Sequence, residues 1–143
     1  MFELHAQLQK DCVVVGDFTL CRVLLLNDSQ YPWFILVPRR EDITEIFQLS
    51  AADRGQLMAE SCLLAETLKD AFAADKMNIA ALGNVVSQLH VHHVVRYRAD
   101  AAWPAPVWGK MPVVKCPPEL IVERINKLRA VLTGGFTFAE SFR

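Results

Sequence analysis

The sequence predicts one α+β domain over residues 1–143, with an antiparallel five-stranded sheet, one long helix and a C-terminal helix. Three observations favour this class. Five short apolar segments are bounded by turn residues, and two longer segments carry apolar residues at helical spacing. The links between neighbouring strand segments are short, which favours antiparallel hairpins. A chain of 143 residues also has the length of a single domain with a sizeable core.

The first three strands are predicted at residues 13–15, 19–26 and 33–37. Gly16 and Asp17 are the turn signal after the first strand. The second strand is apolar on both faces except at Arg22, which predicts a central place in the sheet. It is joined to the third strand by the short turn 27–30, so these two strands are expected to form an antiparallel hairpin.

Ser50 is the predicted N-cap of the long helix, with Asp53 placed as in a capping box. The core-facing stripe of this helix has helical spacing and consists of Leu57, Leu64, Leu68, Ala71 and Phe72. Pro117 and Pro118 suit the first turn of the C-terminal helix. Its apolar face carries Leu120, Ile121, Ile125, Leu128 and Leu132.

From about residue 99 onward the chain adds an arm rich in Pro and Trp, followed by the C-terminal helix. The density of proline at 103–109 predicts an ordered loop without regular structure. Trp103 and Trp108 can either pack on the sheet or stack on a purine, and packing is the default. The tail 136–143 carries three Phe residues and is expected to dock or to fray.

The fourth strand is predicted at residues 77–82, and Gly83 and Asn84 turn the chain into a fifth strand at 85–95. Side chains alternate along a strand, so Gln88, His90 and His92 are expected on one face and His93 on the other. Three of the four histidines of the protein lie here. One amide and two imidazoles at this spacing can line a phosphate-sized anion.

Composition excludes several classes of function. The formal net charge is −1 and no basic block is present, which argues against a nucleic acid or an anionic membrane as partner. No apolar run is long enough for a transmembrane helix, and the N-terminus does not resemble a signal peptide. The four cysteines are scattered without a C-x-x-C pair, so reduced thiols in a cytoplasmic protein are expected.

The histidine segment suits phosphoryl or nucleotidyl transfer without a cofactor. A neutral imidazole is a good nucleophile towards phosphorus, and a second imidazole can hydrogen-bond the phosphate or protonate the leaving oxygen. His90 and His92 can therefore support a two-step reaction through a phosphohistidine-type intermediate. Arg96 and Arg98 can steer phosphate, although basic residues at a strand end are more often solvated.

At these residues the chain resembles the histidine-triad (HIT) hydrolases. Residues 88–96 read Q-L-H-V-H-H-V-V-R, similar to the family signature of three histidines alternating with apolar residues. The apolar strand that ends in Pro38 and Arg39 resembles the family's upstream strand. Asn78 and Asn84 resemble its polar phosphate-side positions. The resemblance covers roughly residues 19–98, extends to diadenosine polyphosphate hydrolase-like members, and implies an antiparallel α+β fold that is usually a homodimer.

The resemblance also implies roles for individual residues. His90 matches the histidine that attacks the α-phosphate and becomes transiently nucleotidylated, and His92 matches a phosphate and leaving-group contact. Asn84 and Asn78 match phosphate-side positions, and Asn27 or Asp28 falls near the ribose-contacting position. Gln88 replaces the first histidine, whose main task is to orient the nucleophile by hydrogen bonding. The expected substrate is a dinucleoside polyphosphate or a nucleoside phosphoramidate.

Two other interpretations remain open at this point. The protein can be a nucleotide-binding module in which Gln88 has removed most of the activity. It can also be a metal-binding protein, because imidazoles at positions i and i+2 can chelate zinc or copper. That second interpretation requires a further ligand, for which only His5 or a distant cysteine or carboxylate is available. No metal site is assigned. For His93 a buried structural role is expected.

Overall fold

The computed structural model describes residues 1–141, in which an antiparallel six-stranded sheet is accompanied by three α-helices. The elements are α1 (Ala6–Asp11), β1 (Cys12–Asp17), β2 (Cys21–Leu26), β3 (Trp33–Pro38), α2 (Ala51–Ala71), β4 (Lys76–Ala80), β5 (Val91–Arg96), α3 (Pro118–Val131) and β6 (Thr137–Phe138), with a 3-10 helix at Ile46–Gln48. The α+β class is confirmed. The prediction of five strands and two helices is wrong, because α1 and β6 are additional.

The strands lie in the order β4-β5-β3-β2-β1-β6, and every neighbouring pair is antiparallel. The central position predicted for the second strand is confirmed, since β2 lies between β3 and β1. The β2–β3 hairpin is also confirmed, with Leu24 opposite Ile35. β4 and β6 form the two edges of the sheet.

The histidine strand is shorter than predicted. β5 begins at Val91, so Gln88 and His90 lie in an irregular segment ahead of it. The ladder stops at Leu36 opposite Val91, and two residues further on Leu89 would face Pro38. Pro38 has no N–H to extend the ladder, and the Leu89 N–H donates instead to the carbonyl of Ile43 at 2.8 Å.

The turn predicted at Gly16 and Asp17 is also wrong, because both residues belong to β1. The register of β1 against β2 shifts between Val14 and Gly16, and β6 pairs with Gly16 from the other side. A Cβ on Gly16 would lie 2.3 Å from the carbonyl oxygen of Thr137. The glycine therefore permits the close approach of β6 and does not mark a turn.

The sheet has an apolar cluster on each face. One cluster, which includes Leu64, Leu68, Ile125 and Leu128, packs α2 and α3 against the sheet. Ser50 caps α2 as predicted, its Oγ accepting from the Asp53 N–H at 3.1 Å. The second cluster covers the opposite face with the N-terminal segment and the arm, and its members include Leu4, Leu8, Trp33, Ile35, Val86 and Val107.

The arm and the C-terminal segment are ordered by buried cations. Arg96 is 1% exposed and donates to the Asp100 carboxylate at 2.8 Å, to Asn78 and to the carbonyl of Ala105. The expectation that Arg96 is solvated is therefore wrong. Burial alone would raise the pKa of Asp100, but hydrogen bonds from Arg96 and from backbone N–H groups hold it below its ordinary value.

The tail predicted at 136–143 docks as far as it is described. Phe136 packs on Phe18 with ring centroids 4.8 Å apart, and β6 follows directly. Residues 142 and 143 of that predicted segment lie outside the described residues. None of the helices between residues 1 and 141 has the length and apolarity that crossing a bilayer requires.

Candidate active site

His90 is held by the main chain just before β5. Its Nδ1 lies 2.7 Å from the carbonyl oxygen of Gln88. A carbonyl can only accept, so Nδ1 carries the proton and donates it. In the neutral ring this leaves the lone pair on Nε2.

His92 has the opposite tautomer. Its Nδ1 accepts from the indole N–H of Trp33 at 2.9 Å, and an indole can only donate. The remaining proton of His92 therefore lies on Nε2. Burial, with smaller contributions from His90 and His93, lowers the pKa of His92 to about 3. His92 is thus neutral at physiological pH and offers an N–H hydrogen bond, not the transferable proton that a protonated imidazole would supply.

His90 lines two neighbouring hollows, and His92 lines one of them. The centroids of the two imidazole rings are 4.8 Å apart in an edge-to-face arrangement. A cavity of about 550 Å³ contacts both His90 and His92. A second hollow of about 460 Å³ also contacts His90 and shares Leu82 and Gly83 with the first. His90 is therefore next to two spaces that share part of their lining.

The larger cavity, called here the His90 cavity, combines aromatic and apolar walls with a few polar groups. Trp108 packs edge to face against His92, with ring centroids 5.2 Å apart, and against Trp33 at 5.5 Å. The other lining residues are Gln7, Leu8, Asp11, Leu26, Ile35, Leu82, Gly83, Asn84, Val85, Val86 and Val113. Aromatic side chains beside two imidazoles suit a planar base attached to a phosphate.

Gln88 is at the site, but its amide does not face His90. The side-chain Oε1 accepts from the His5 N–H at 2.8 Å, and the side-chain N–H donates to the carbonyl of Glu3 at 2.9 Å. The strand alternation used for this residue fails because Gln88 precedes β5. The main-chain carbonyl of Gln88, and not its side chain, orients the His90 imidazole.

The other sequence-predicted polar residues divide into one at the cavity and three away from it. Asn84 is exposed and lines the His90 cavity. Asn78 accepts from Arg96 at 2.7 Å and lies outside the lining. Asn27 accepts from the Cys116 N–H at 2.7 Å, and Asp28 is buried and accepts from the Gln30 N–H at 3.0 Å. The structure therefore does not bring Asn78, Asn27 or Asp28 to the cavity.

His93 points to the opposite face, as the alternation of β5 requires. It is fully buried, its Nδ1 donates to the carbonyl of Val91 at 3.1 Å, and its Nε2 accepts from the Ser61 hydroxyl at 2.7 Å. Burial lowers its pKa to about 4. The expected structural role of His93 is confirmed, since it connects β5 to α2.

Several lining residues are not among the predicted site residues. Trp108 packs against the second apolar cluster, as expected, and also lines the cavity. The indole of Trp33, a residue that the sequence assigns only to a strand, fixes the tautomer of His92. Helix α1 spans only six residues, which is too short for a readable apolar period. The alternation Trp33, Ile35 on the same strand face was the available signal for this wall.

The metal-binding interpretation lacks its further ligand. Within residues 1–141 no group of three or more His, Cys, Asp or Glu side chains is placed to hold a metal ion. His5, one of the further ligands considered, is engaged at α1, where its Nδ1 accepts from the Gln7 N–H at 3.0 Å. The four cysteines are all free thiols.

Comparison with known proteins finds a matching family model and similar solved structures. The family model for the HIT domain matches residues 7–99. A histidine triad protein from Bradyrhizobium japonicum is 44% identical, covers 91% of this chain and 97% of its own, and superposes with a TM-score of 0.89. One from Sinorhizobium meliloti is 42% identical over 92% of this chain and 98% of its own, with a TM-score of 0.90.

A histidine triad protein from Marinobacter aquaeolei is 48% identical, covers 92% of this chain and 96% of its own, and has a TM-score of 0.89. These three similarities extend well beyond the matched HIT domain into the arm and α3. No curated protein is similar enough to be matched.

Proposed function

Because the chain belongs to the HIT domain family, we propose that it is a nucleotide hydrolase or nucleotidyl transferase that attacks the α-phosphate of a nucleoside phosphate derivative through His90. One observation supports this proposal more strongly than any other. The hydrogen bond from His90 Nδ1 to the Gln88 carbonyl leaves a lone pair on Nε2 beside a cavity that can hold a nucleotide.

In the first step, the Nε2 lone pair of His90 forms a bond to the α-phosphorus, and the bond from phosphorus to the leaving atom breaks. The leaving group departs with that electron pair and takes a proton from solvent. The Nδ1 proton stays between His90 and the Gln88 carbonyl, where it stabilises the positive charge that develops on the nucleotidylated ring.

In the second step, water attacks the phosphorus and the bond to Nε2 breaks. The water releases one proton to solvent, and the neutral His90 imidazole is restored. Throughout both steps the Nε2–H of His92 donates to a phosphate oxygen, and the exposed amide of Asn84 can donate from the cavity wall. In transfer to another acceptor, that acceptor replaces water.

The two hollows at His90 support the proposed substrate class. The aromatic wall of Trp33 and Trp108 favours a nucleoside in the His90 cavity, and the second hollow leaves room for a leaving group. Dinucleoside polyphosphates and nucleoside phosphoramidates both carry a nucleoside on one side of the α-phosphate and a leaving group on the other. We place the reaction in a reducing compartment such as the cytoplasm, where four free thiols persist.

A nucleotide-binding module with little turnover is the alternative function, and the orientation of the Gln88 amide favours it. The first position of the triad then contributes no side chain to the nucleophile. This alternative predicts measurable affinity for AMP or GMP without hydrolysis. A single substrate panel distinguishes the two functions, because the proposed enzyme hydrolyses a substrate of the panel and the binding module hydrolyses none.

We further propose that the active form is a homodimer. Within residues 1–141, β4 is an edge strand that pairs with β5 alone, so its outer edge presents backbone groups without a strand partner there. Ile79 on this strand is 50% exposed, and Leu82 just beyond it is 47% exposed. Pairing two such edges would extend the sheet across both subunits.

The test is turnover of nucleoside phosphoramidates, diadenosine polyphosphates and nucleotide sugars by the wild type and by His90→Ala. We expect His90→Ala to lose at least about 10³-fold in turnover, because the covalent route is removed. Rapid quenching without acid, followed by mass spectrometry, should find the nucleotidyl group on the peptide that contains His90. Unchanged turnover in His90→Ala would overturn the proposal.

A further inference from the structure

Trp108 is the residue of the arm that contacts His92. Its indole packs edge to face against the imidazole of His92, with ring centroids 5.2 Å apart, and against the indole of Trp33 at 5.5 Å. Trp33 in turn donates to His92 Nδ1, so the His92 ring contacts both tryptophans. Trp108 lies beyond residues 7–99, the part of the chain that the HIT domain matches. The arm therefore supplies one side of the surroundings of a histidine that belongs to the domain.

A single carboxylate folds the start of the arm. Asp100 is buried, with 3% of its side chain exposed. Backbone N–H groups donate to this carboxylate from Tyr97 at 3.0 Å, from Ala102 at 3.1 Å and from Trp103 at 2.8 Å. The Arg96 guanidinium also donates to it, from Nε at 2.8 Å and from Nη2 at 3.1 Å. These charge-assisted hydrogen bonds fix the turn by which the chain leaves β5.

Arg96 connects this turn to the part of the arm that precedes Trp108. Its guanidinium donates to the Ala105 carbonyl at 2.8 Å and to Asn78 Oδ1 on β4 at 2.7 Å. Ala105 is three residues before Trp108, and Val107 between them is buried in the second apolar cluster. The planar guanidinium, which is 1% exposed, thus joins β5, β4 and the arm through directional hydrogen bonds.

We propose that Asp100 and Arg96 are positioning residues of the active site, which hold the arm so that Trp108 stays packed against His92 and keeps water away from its ring. The proposal rests on the function proposed above, in which the Nε2–H of His92 donates to a phosphate oxygen. Water at the ring would compete with the phosphate for that N–H, and it would also favour the protonated imidazole. Neither Asp100 nor Arg96 has to touch the substrate for this role.

The surroundings of His92 make a release of the arm measurable. His92 is 8% exposed, and burial is the main cause that lowers its pKa to about 3. Among residues 1–141, the titratable groups that line its cavity or contribute to its pKa are His90, His93 on the opposite face of β5, and Asp11 on α1. These three groups lie outside the arm. A change in the arm therefore acts on the pKa of His92 through the access of water.

The direct test is NMR titration of the His92 imidazole between about pH 5 and pH 8 in the wild type, in Asp100→Asn and in Trp108→Ala. We expect the wild-type ring to stay neutral over this interval and the ring to titrate within it in both variants. Loss of the negative charge at Asp100 would by itself lower the pKa of His92, so a rise identifies the entry of water.

The matched control is Asp75→Asn. Asp75 is another carboxylate beside the end of β5, where it accepts from the Arg98 N–H at 2.9 Å. Hydrogen bonds from Asp75 do not reach the segment 100–108 within residues 1–141. We expect His92 to stay neutral in this variant. Titration of His92 in Asp75→Asn to the same extent as in Asp100→Asn would overturn the proposal, because any loosened turn would then have this effect.

A conservative variant separates the contact from the size of the side chain. Trp108→Phe keeps an aromatic ring that can pack edge to face on His92, so we expect His92 to stay neutral in it. Trp108→Ala and Asp100→Asn should also lower kcat/KM on the substrate panel roughly tenfold, because the N–H donor is no longer held in place. Trp108→Phe should lower kcat/KM less than either.

A milder change covers the case in which Asp100→Asn does not fold. Asn78→Ala removes one neutral acceptor from the Arg96 guanidinium and leaves the Asp100 carboxylate bound. We expect it to raise the pKa of His92 by a smaller amount than Trp108→Ala does. An unchanged pKa of His92 in a folded Asp100→Asn, or in Asn78→Ala where Asp100→Asn is unfolded, would overturn the positioning role.

The outcomes separate this inference from the proposed function. A His92 that stays neutral in Trp108→Ala overturns the inference, even if His90 turns substrate over. A His92 that titrates in Asp100→Asn and in Trp108→Ala, but not in Asp75→Asn, supports the inference, even if no substrate of the panel is hydrolysed.

Discussion

At the scale of single residues, two imidazoles two positions apart acquire different properties from their hydrogen-bond partners. A carbonyl acceptor at His90 Nδ1 exposes a lone pair on Nε2, and an indole donor at His92 Nδ1 places a proton there. The neighbouring His93 is held by Ser61 on the other face. The chemistry of each ring is therefore set by one atom of another residue.

Buried neutral histidines make stability depend on pH. The pKa of His92 is lowered to about 3 and that of His93 to about 4, from an ordinary value of 6.5. Below pH 6.5 His92 and His93 become protonated in the unfolded chain but stay neutral in the folded protein until the pH approaches their lowered pKa values. The free energy of unfolding should fall as pH drops from 6.5 towards 4, by up to about 1.4 kcal/mol per pH unit for each ring.

The measurement is urea unfolding of the wild type and of His93→Gln between pH 7.5 and pH 4.5. We expect the variant to lose less stability over this interval, because it lacks one of the two histidines whose pKa is lowered by folding. Equal slopes for the two proteins would contradict a lowered pKa at His93. Carboxylates elsewhere contribute equally to both proteins and cancel in the comparison.

At the scale of elements, glycine acts differently in β1 and in α2. A Cβ on Gly16 would lie 2.3 Å from the Thr137 carbonyl, whereas a Cβ on Gly55 would meet nothing within 4 Å. We expect Gly16→Ala to destabilise the protein by roughly 1–3 kcal/mol and to release β6. Gly55→Ala should stabilise it by about 0.5–1 kcal/mol, because it removes backbone freedom from the unfolded chain and fills a helix position.

The two glycine variants add the same methyl group at positions that differ in the space around it and in secondary structure. Thermal unfolding measures both, and limited proteolysis reports the release of β6 in Gly16→Ala. If both variants had the same stability, the close approach of β6 to β1 would not be what requires glycine at position 16.

At the scale of the whole molecule, the exposed edge of β4 predicts the assembly. We expect the wild type to have twice the mass of the chain in light scattering coupled to gel filtration. Ile79→Lys places a charge on this edge and should shift the protein towards monomer. Val122→Lys, a similarly exposed position on α3, should leave the mass unchanged. A monomeric wild type would contradict the dimer.

The order of elements was largely predictable because each carries a local signal. Ser50 caps α2, the apolar stripe of that helix is buried, and β2 is central, all as its residues predict. α1 and β6 were not predicted because α1, with six residues, and β6, with two, are too short to show a period of apolar residues. Gly16 was wrongly predicted as a turn residue, because glycine is suited both to tight turns and to close contacts between strands.

The candidate site was predictable at its centre and not at its walls. His90, His92 and Asn84 meet at one cavity, as their spacing and family resemblance indicate. Asn78, Asn27 and Asp28 are engaged by Arg96, by Cys116 and by Gln30, and these contacts depend on residues up to 89 positions away. Arg96 and Cys116 lie 18 and 89 positions from their partners, so the sequence around Asn78 and Asn27 gives no information about these contacts, whereas Gln30 is only two positions from Asp28.

The sequence by itself determined the fold class, the helices α2 and α3, and the clustering of two imidazoles two positions apart. These properties depend on local backbone preference and on the period of apolar residues, which can be read along the chain. Only the tertiary structure decided the tautomer of each histidine, the direction of the Gln88 amide and the contribution of α1 to the cavity. The physical reason is that a hydrogen bond selects its partner by proximity in space, and here the Gln88 amide reaches residues 83 and 85 positions away.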